Sequence, residues 1–214
     1  MKCMILAAGY GKRMMPLTKE TPKPLLKIGN ETLLDKNIKH VLSSGFDEII
    51  INVSHHGDKI KEHLIENYND HKITLVEEPH PYGTGGALIN AKDHLGDETI
   101  LIINADIFHD FDLSKLNRET ECIHLVGIEN PDHNSDGDFN IRSDGKVFCD
   151  DINQLTWSGI SLLNTDILSK IDNNNFPFDS WSSIVLPQIK EDKVTGEIYS
   201  CLLYTSPSPR DLWI

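Results

Sequence analysis

The sequence predicts an α/β fold, Rossmann-like and three-layered (α/β/α), with a mainly parallel, mixed central sheet. Short apolar runs alternate with longer amphipathic stretches over the first 130 residues, which indicates repeated β-α units. The apolar runs show no period-2 alternation, as expected for strands that helices cover on both faces. The chain has 214 residues, of which 39% are hydrophobic and 25% charged, so it can bury a sizeable core.

Each element follows from its local pattern. The run TILIINA (99–105) is the strongest strand signal, and Gly45 ends a helix whose apolar residues recur at helical spacing. Ser143-Asp144-Gly145 is typical of a hairpin turn between 138–141 and 146–150. The other predicted strands are 4–8, 48–53, 73–76, 122–128 and 157–163. The predicted helices are 33–44, 59–68, 86–95 and 179–190, with a helical turn at 112–116.

Charge and composition exclude several classes of protein. With 33 acidic and 20 basic side chains the net charge is −13, which argues against a nucleic-acid-binding module. No apolar run is long enough for a membrane span, so we expect no membrane partner. The four cysteines are scattered without a C-x-x-C pair, which favours a reduced, cytoplasmic protein.

A glycine-rich turn follows the first predicted strand. Gly9 and Gly11 allow the backbone to approach a ligand closely, and successive N–H groups can surround phosphate oxygens. Met14 stands where a dinucleotide-binding fingerprint needs its third glycine, and Arg13 breaks the P-loop pattern. The plain alternative is a glycine turn with surface cations. The local cations are Lys12, Arg13, Lys19, Lys23 and Lys27, a patch suited to a polyphosphate.

Two further residues are placed for phosphate chemistry. Pro22 and Pro24 fix the backbone around Lys23, which favours a lysine delivered to a ligand over a solvated loop lysine. Asp106 follows the strongest strand, at the edge where open α/β sheets bind ligands. A carboxylate there can hold Mg²⁺ against substrate phosphates; the alternative is an aspartate that caps a turn.

Taken together, these motifs resemble the signature of the sugar-1-phosphate nucleotidyltransferases. The pattern L-A-A-G-x-G-x-R occupies 6–13, P-L-T occupies 16–18 and P-K-P-L occupies 22–25. The stretches 83–87 and 104–106 resemble later family motifs, with Ala105 in place of the usual glycine. The stretches 130–131, 137–139, 157–160 and 194–199 are similar to the N-acetylmuramate α-1-phosphate uridylyltransferase branch. The resemblance covers about residues 1–200.

The resemblance implies an enzyme that condenses a nucleoside triphosphate with a sugar 1-phosphate, releasing pyrophosphate, with Mg²⁺ as cofactor. UTP and N-acetylmuramate 1-phosphate, for cell-wall recycling, are the first expected pair. GTP with mannose 1-phosphate is the alternative pair. A nucleotide-binding regulatory protein without catalysis is the alternative of another class. The sequence carries no information on oligomeric state.

The resemblance also implies roles for single residues. Catalysis is expected from Arg13, Lys23 and Asp106, with Asp106 as the metal ligand. The residues expected to bind nucleotide are Ala8, Gly9, Gly11, Lys12, Arg13, Lys23, Gly85 and Asn104. The residues expected to bind the sugar substrate are Thr84, Asp138, Gly159 and Glu197.

The last fourteen residues depart from the family. A second metal carboxylate is expected in a W-x-D-[IV]-G-T stretch shortly after 194–199, but SCLLYT stands there and Asp211 lies in another context. The string CLLYTSPSPRD resembles a translated cloning sequence joined to a shortened gene; the alternative is a disordered native terminus. We therefore expect one nucleotidyltransferase domain over 1–200 and an atypical, non-native tail over 201–214.

Overall fold

The computed structural model describes residues 1–171 and 175–200, with the backbone alone for 203–205 and for Arg13. In this part of the chain, seven longer strands form one central sheet, and six short strands form three separate pairs. In chain order the strands are β1 (Lys2–Leu6), β2 (Lys27–Ile28), β3 (Glu31–Thr32), β4 (Glu48–Val53), β5 (Lys72–Glu77), β6 (Thr99–Asn104), β7 (Ile107–His109), β8 (Ile123–Glu129), β9 (Asn140–Ile141), β10 (Val147–Phe148), β11 (Leu155–Asn164), β12 (Val194–Ile198) and β13 (Leu203–Thr205). The α-helices are α1 (Leu33–Ser43), α2 (Gly57–Asn67), α3 (Gly83–Asn90), α4 (Lys92–Leu95) and α5 (Leu186–Lys190).

Seven strands form one central sheet in the order β12-β8-β11-β6-β1-β4-β5. β1 pairs in parallel with both β4 and β6, and β5 and β12 also join in parallel. β11 runs antiparallel to both of its neighbours. This mixed, mainly parallel sheet with helices on both faces confirms the predicted fold class. β7 pairs with β13 outside the central sheet.

The core lies on both faces of the sheet. Ile5 of β1 packs on one side with Leu34 and Ile38 of α1, all fully buried. Met4, its neighbour in β1, packs on the other side with Leu88 of α3. Burying one such side chain stabilises the folded state by roughly 1.5–3 kcal/mol, which favours apolar residues at consecutive strand positions. This two-sided burial explains why the strand sequences do not alternate.

The start of α1 is fixed by reciprocal hydrogen bonds. The Thr32 hydroxyl accepts from the Asp35 backbone N–H, and the Asp35 carboxylate accepts from the Thr32 N–H. The same carboxylate accepts from His63 and from the Tyr68 hydroxyl, at 2.8 and 2.9 Å. Burial raises the pKa of Asp35, but these hydrogen bonds outweigh it and lower the pKa to about 2. The carboxylate therefore joins α1 to α2 and to the segment that follows α2.

Some elements differ from the sequence prediction. The predicted helix 86–95 begins earlier, at Gly83, and is divided into α3 and α4. The predicted helix 179–190 is a π-helical turn (Trp181–Val185) followed by α5; Pro187 has no N–H to donate within it. β12 was not among the predicted strands, and it completes the sheet beside β8. The predicted hairpin is present as β9 and β10.

Two expectations concern the chain ends and membranes. The predicted non-native tail lies mostly outside the described residues; of it, only the backbone of 203–205 is described, as β13. Among the described residues, no helix is long and apolar enough to cross a membrane. The division into a 1–200 domain and a tail stays a prediction.

His109, at the end of β7, is an unusual buried residue. Only 6% of it is exposed, and its ring stacks on the His40 ring with 4.8 Å between the centroids. Within the described part of the chain neither ring nitrogen of His109 has a hydrogen-bond partner. Burial lowers the pKa of His109 to about 4, the His40 ring adds to this, and Asp110 opposes it. The native state therefore keeps this imidazole neutral well below its ordinary pKa.

We expect His109 to make stability depend on pH. Below about pH 6.5 the unfolded chain binds a proton at His109 that the native state refuses down to about pH 4. The free energy of unfolding should therefore fall as pH drops through this window, by up to about 3 kcal/mol. His109→Phe should flatten that part of the curve in urea unfolding between pH 7 and 4. His94→Phe, at an exposed histidine, is the control; equal slopes in wild type and His109→Phe would contradict the assignment.

Candidate active site

A cavity of about 500 Å³ lies at the carboxyl ends of the parallel strands. The segments after β1 and β6 form its floor, Asn52 of β4 lies on one side, and the start of β11 lies on the other. Open α/β sheets bind ligands at this edge, because loops from neighbouring strands diverge there. The predicted residues that line it are Ala8, Gly9, Gly11, Lys12, Lys23, Thr84, Asn104, Asp106 and Gly159.

The glycine-rich turn is anchored to its neighbours by short contacts. The Ala7 N–H donates to the Asn52 side-chain oxygen at 2.9 Å, and the Thr18 hydroxyl donates to the Gly11 carbonyl at 2.8 Å. Gly11 has φ +60°, and a Cβ there would lie 2.9 Å from Thr18 Cγ2. Only glycine fits this position without strain. The backbone of the turn is thus held against the cavity with Lys12 exposed beside it.

Lys23 and Asp106 form an ion pair inside the cavity. Lys23 lies between Pro22 and Pro24 and is the first residue of a short 3₁₀ turn. Asp106 follows β6. Lys23 Nζ lies 2.6 Å from Asp106 Oδ2. The lysine side chain is 13% exposed and the aspartate 44%, so solvent reaches the carboxylate more easily than the ammonium. The two residues expected to serve phosphate and metal therefore start out paired with each other.

The cavity suits a metal that arrives with a phosphate ligand. Within the described residues there is no cluster of three or more His, Cys, Asp or Glu side chains that could hold an ion. Asp106 lines the cavity and is half exposed, so one of its oxygens can reach a cation. Mg²⁺ is commonly held by one or two carboxylates together with substrate phosphates. This donor set fits Mg²⁺ bound with a polyphosphate, and the metal itself stays a proposal.

A β-bulge shapes the opposite wall. The register of β11 against β8 shifts between Trp157 and Ser161. Gly159 lies in this bulge with φ +84°, and a Cβ there would lie 2.6 Å from Asn104 Nδ2. Bulges redirect side chains and are frequent beside active sites. Here the bulge lets the β11 backbone pass close to the Asn104 amide at the end of β6.

The glycine-rich stretch 83–87 is used mostly for packing. Gly85 is buried, its N–H donates to the Phe178 carbonyl at 3.1 Å, and its Cβ position is filled by the Phe178 ring. Gly85 therefore does not line the cavity. Thr84 does, and its hydroxyl accepts from the Ser180 N–H at 2.8 Å. The stretch is attached to 176–180 by these contacts.

Two predicted sugar-binding carboxylates do not line the cavity. Asp138 accepts from the Trp157 N–H at 2.8 Å and from the Asn134 amide at 3.1 Å. Glu197 accepts from His124 Nε2 at 3.0 Å, and Arg118 Nη2 lies 3.5 Å from Glu197 Oε1. Both carboxylates are thus hydrogen-bonded to protein groups and do not face the cavity. The Arg13 side chain lies outside the described residues, so its expected role stays a prediction.

The sequence analysis did not identify several residues that line the cavity. Glu78 is 4% exposed; its carboxylate accepts from the Asn52 amide and from the Tyr82 N–H, both at 2.7 Å. Burial raises the pKa of Glu78, and these two bonds oppose the rise. The signal was available, because Asn52 follows the apolar residues of β4, as Asn104 follows those of β6, and Glu78 comes directly after β5. Trp157, Ser158 and His133 also line the cavity.

Comparisons with known proteins identify similar sequences. The sequence profile of the nucleotidyl transferase family matches residues 2–123. An N-acetylmuramate alpha-1-phosphate uridylyltransferase from Neisseria meningitidis is 30% identical over 213 residues, covering 94% of this chain and 91% of that protein. A D-glycero-alpha-D-manno-heptose 1-phosphate guanylyltransferase from Campylobacter jejuni is 31% identical over 176 residues, covering 79% of this chain and 78% of its own length.

A solved structure supports the fold. The crystal structure of HddC from Yersinia pseudotuberculosis superposes with a TM-score of 0.81 at 23% identity, covering 99% of this chain and 96% of that one. The two proteins therefore share this layered fold. From the family profile, the relatives and the cavity that its motifs line, we conclude that this chain belongs to the nucleotidyl transferase family, as a sugar-1-phosphate nucleotidyltransferase.

Proposed function

We propose that this chain condenses UTP with N-acetylmuramate 1-phosphate to give the uridine diphosphate sugar and pyrophosphate. The observation that carries the proposal is the near full-length similarity to the Neisseria meningitidis uridylyltransferase, 94% of this chain and 91% of that protein. This reaction would serve cell-wall recycling in the cytoplasm. The cavity of about 500 Å³ is large enough for a nucleotide and part of a sugar.

The reaction needs positioning and charge neutralisation more than covalent chemistry. A phosphate oxygen of the sugar 1-phosphate attacks the α-phosphorus of UTP, a new P–O bond forms, and the bond to the β-phosphate oxygen breaks. Pyrophosphate leaves with the electron pair of that bond. The glycine turn presents backbone N–H groups, and Lys12 adds positive charge, where the triphosphate would bind. Fixed donors of this kind stabilise the charge that develops in transfer.

Lys23 and Asp106 would act as an exchangeable pair. In the structure Lys23 donates to Asp106 at 2.6 Å. A phosphate group in the cavity offers Lys23 another anionic partner, which releases an oxygen of Asp106 for the cation. Mg²⁺, when bound with the nucleotide, would neutralise phosphate charge. Arg13 follows Lys12 in the same turn, and we propose that its guanidinium stabilises the departing pyrophosphate.

GTP is the second candidate nucleotide, and one residue favours it. Glu78 holds a buried carboxylate at the cavity wall. A carboxylate only accepts hydrogen bonds, and guanine offers adjacent N1–H and N2–H donors, whereas uracil offers one N–H between two carbonyls. A relative that carries a guanylyltransferase name is 31% identical to this chain. Glu78 therefore provides a direct test of base choice.

The first prediction concerns the reaction itself. With Mg²⁺, pyrophosphate release should require one nucleotide and one sugar phosphate when UTP and GTP are tested against N-acetylmuramate, N-acetylglucosamine, glucose and mannose 1-phosphates. Asp106→Ala and Arg13→Ala should each lower turnover at least about a hundredfold, a loss of about 2.7 kcal/mol in transition-state stabilisation. Asp93→Ala, at an exposed aspartate of α4, is the control. Near-normal turnover in either variant would remove that residue from the machinery.

The second prediction concerns the base. Glu78→Gln keeps the size of the side chain but replaces one carboxylate oxygen with an NH2 donor, so one of the hydrogen bonds from Asn52 and Tyr82 is lost together with an acceptor for the base. We expect the ratio of kcat/KM for UTP over GTP to rise at least about tenfold, because guanine loses an acceptor (a change of about 1.4 kcal/mol). Glu77→Gln, at the exposed neighbouring carboxylate, should leave the ratio unchanged. An unchanged ratio in Glu78→Gln would show that this side chain does not contact the base.

The third prediction concerns the bulge. Gly159→Ala places a methyl group 2.6 Å from Asn104 Nδ2, so the amide must move. Gly145→Ala is a matched control, because Gly145 also has a positive φ of +82° but nothing within 4 Å of its Cβ position. Both variants should lose about 1 kcal/mol of stability from backbone strain. Only Gly159→Ala should also lower kcat/KM, by about tenfold; equal activity in both would separate Asn104 from substrate binding.

A further inference from the structure

We infer that His133 recognises the carboxylate that distinguishes N-acetylmuramate from N-acetylglucosamine, an inference that rests on the proposed function. N-acetylmuramate is N-acetylglucosamine with a lactyl ether, and that ether carries the only carboxylate of the sugar. A site that prefers this sugar needs a donor for the carboxylate, because an unpaired anion in a cavity is costly. His133 is the residue whose position and chemistry meet this need.

The topology places His133 at the end of the cavity opposite Glu78, the residue proposed to contact the base. Glu78 follows β5, at one edge of the sheet, and His133 follows β8, five strands away in the order β5-β4-β1-β6-β11-β8. The groups suited to phosphate, Lys23 and the glycine turn, lie between them after β1 and beside β6. A nucleotide sugar has its phosphates between base and sugar. With the base toward Glu78, the sugar therefore lies toward His133.

The wall beside His133 is rigid and suited to a sugar ring. The Trp157 backbone N–H donates to Asp138 at 2.8 Å, and its indole N–H donates to the Ile160 carbonyl at 3.1 Å. Both donors of Trp157 are thus used within the protein, and the tryptophan lines the cavity as an apolar surface. An apolar wall of this kind binds the ring without reading its substituents, so another residue must read them.

The turn that carries His133 is held to this wall. Asn134 donates from its side chain to Asp138 at 3.1 Å and to the Thr156 hydroxyl at 3.0 Å. Its backbone N–H closes the 3₁₀ turn on the Pro131 carbonyl at 2.8 Å. His133 is exposed within this turn and lines the cavity. The backbone is therefore fixed, and the imidazole is available to a ligand.

Among the described side chains that line the cavity, three can bring a positive charge: Lys12, Lys23 and His133. In the glycine turn, Lys12 Nζ lies 5.1 Å from the centre of the Tyr10 ring. Lys23 is paired with Asp106. Both lysines therefore belong to the phosphate region. That leaves His133 for an anion at the sugar end. A neutral imidazole still donates one N–H to a carboxylate, and protonation adds charge to the same bond.

The test compares two sugars that differ in this one substituent. Wild type, His133→Ala and His133→Lys are assayed with UTP and either N-acetylmuramate 1-phosphate or N-acetylglucosamine 1-phosphate. Wild type should prefer the N-acetylmuramate compound. His133→Ala should raise KM for that compound at least about tenfold, with kcat/KM for the other sugar within about twofold of wild type. His133→Lys should keep the preference, because an ammonium group also donates to a carboxylate, and His94→Ala should change neither value.

The outcomes separate the inference from the proposed function. If wild type prefers N-acetylmuramate 1-phosphate and His133→Ala keeps that preference, the role of His133 is overturned while the function stands. If wild type does not prefer that sugar, both are overturned. An equal loss for the two sugars in His133→Ala assigns His133 to the phosphate or to the turn and also overturns the inference. Calorimetric titration of each sugar phosphate, with wild type and His133→Ala, gives the same comparison without turnover.

Discussion

The parallel pairing of β1 with β4 and β6 is the constraint on which the site depends. These pairings bring three strand ends to one level, and two hydrogen bonds continue the pairing beyond the strands: Ala7 N–H to Asn52 at 2.9 Å and Ala105 N–H to the Leu6 carbonyl at 3.0 Å. A shift of one residue in β1 would exchange its two buried faces, so the core itself fixes this level. The glycine turn and Asp106 leave the sheet from these fixed points.

The rest of the site is built where regular structure is interrupted. Gly11 and Gly159 both have a positive φ. A Cβ on Gly11 would contact Thr18 and Lys23, and a Cβ on Gly159 would contact Asn104. The strand ends fix where the site residues lie, and the irregular segments let the backbone approach those residues closely. Lys12 and Lys23 line the cavity of a chain whose net charge is −13, so the positive charge at this edge favours an anionic ligand.

The sequence was sufficient for the parts of the site that depend on local rules. Prolines around Lys23 and an aspartate after the strongest strand identified a pair of residues that the structure joins at 2.6 Å. It was insufficient where long-range packing decides. Gly85 looks like a ligand-binding glycine until Phe178, more than ninety residues later, fills the space beside it. Asp138 likewise accepts from the Trp157 N–H, nineteen residues further along the chain, and no local pattern encodes this contact.

The Lys23–Asp106 pair also bears on the stability of the cavity and on its readiness to bind an anion. An unpaired lysine at 13% exposure would carry a desolvation cost, and the aspartate offsets it. Because the carboxylate is 44% exposed, the net strength of the pair is modest, and a phosphate can replace the carboxylate as partner of Lys23 at little cost. In the proposed reaction Lys23 would then stay paired throughout, while Asp106 would become free only when an anion is bound. We infer that the carboxylate becomes available for a cation at the moment when a phosphate can share that cation.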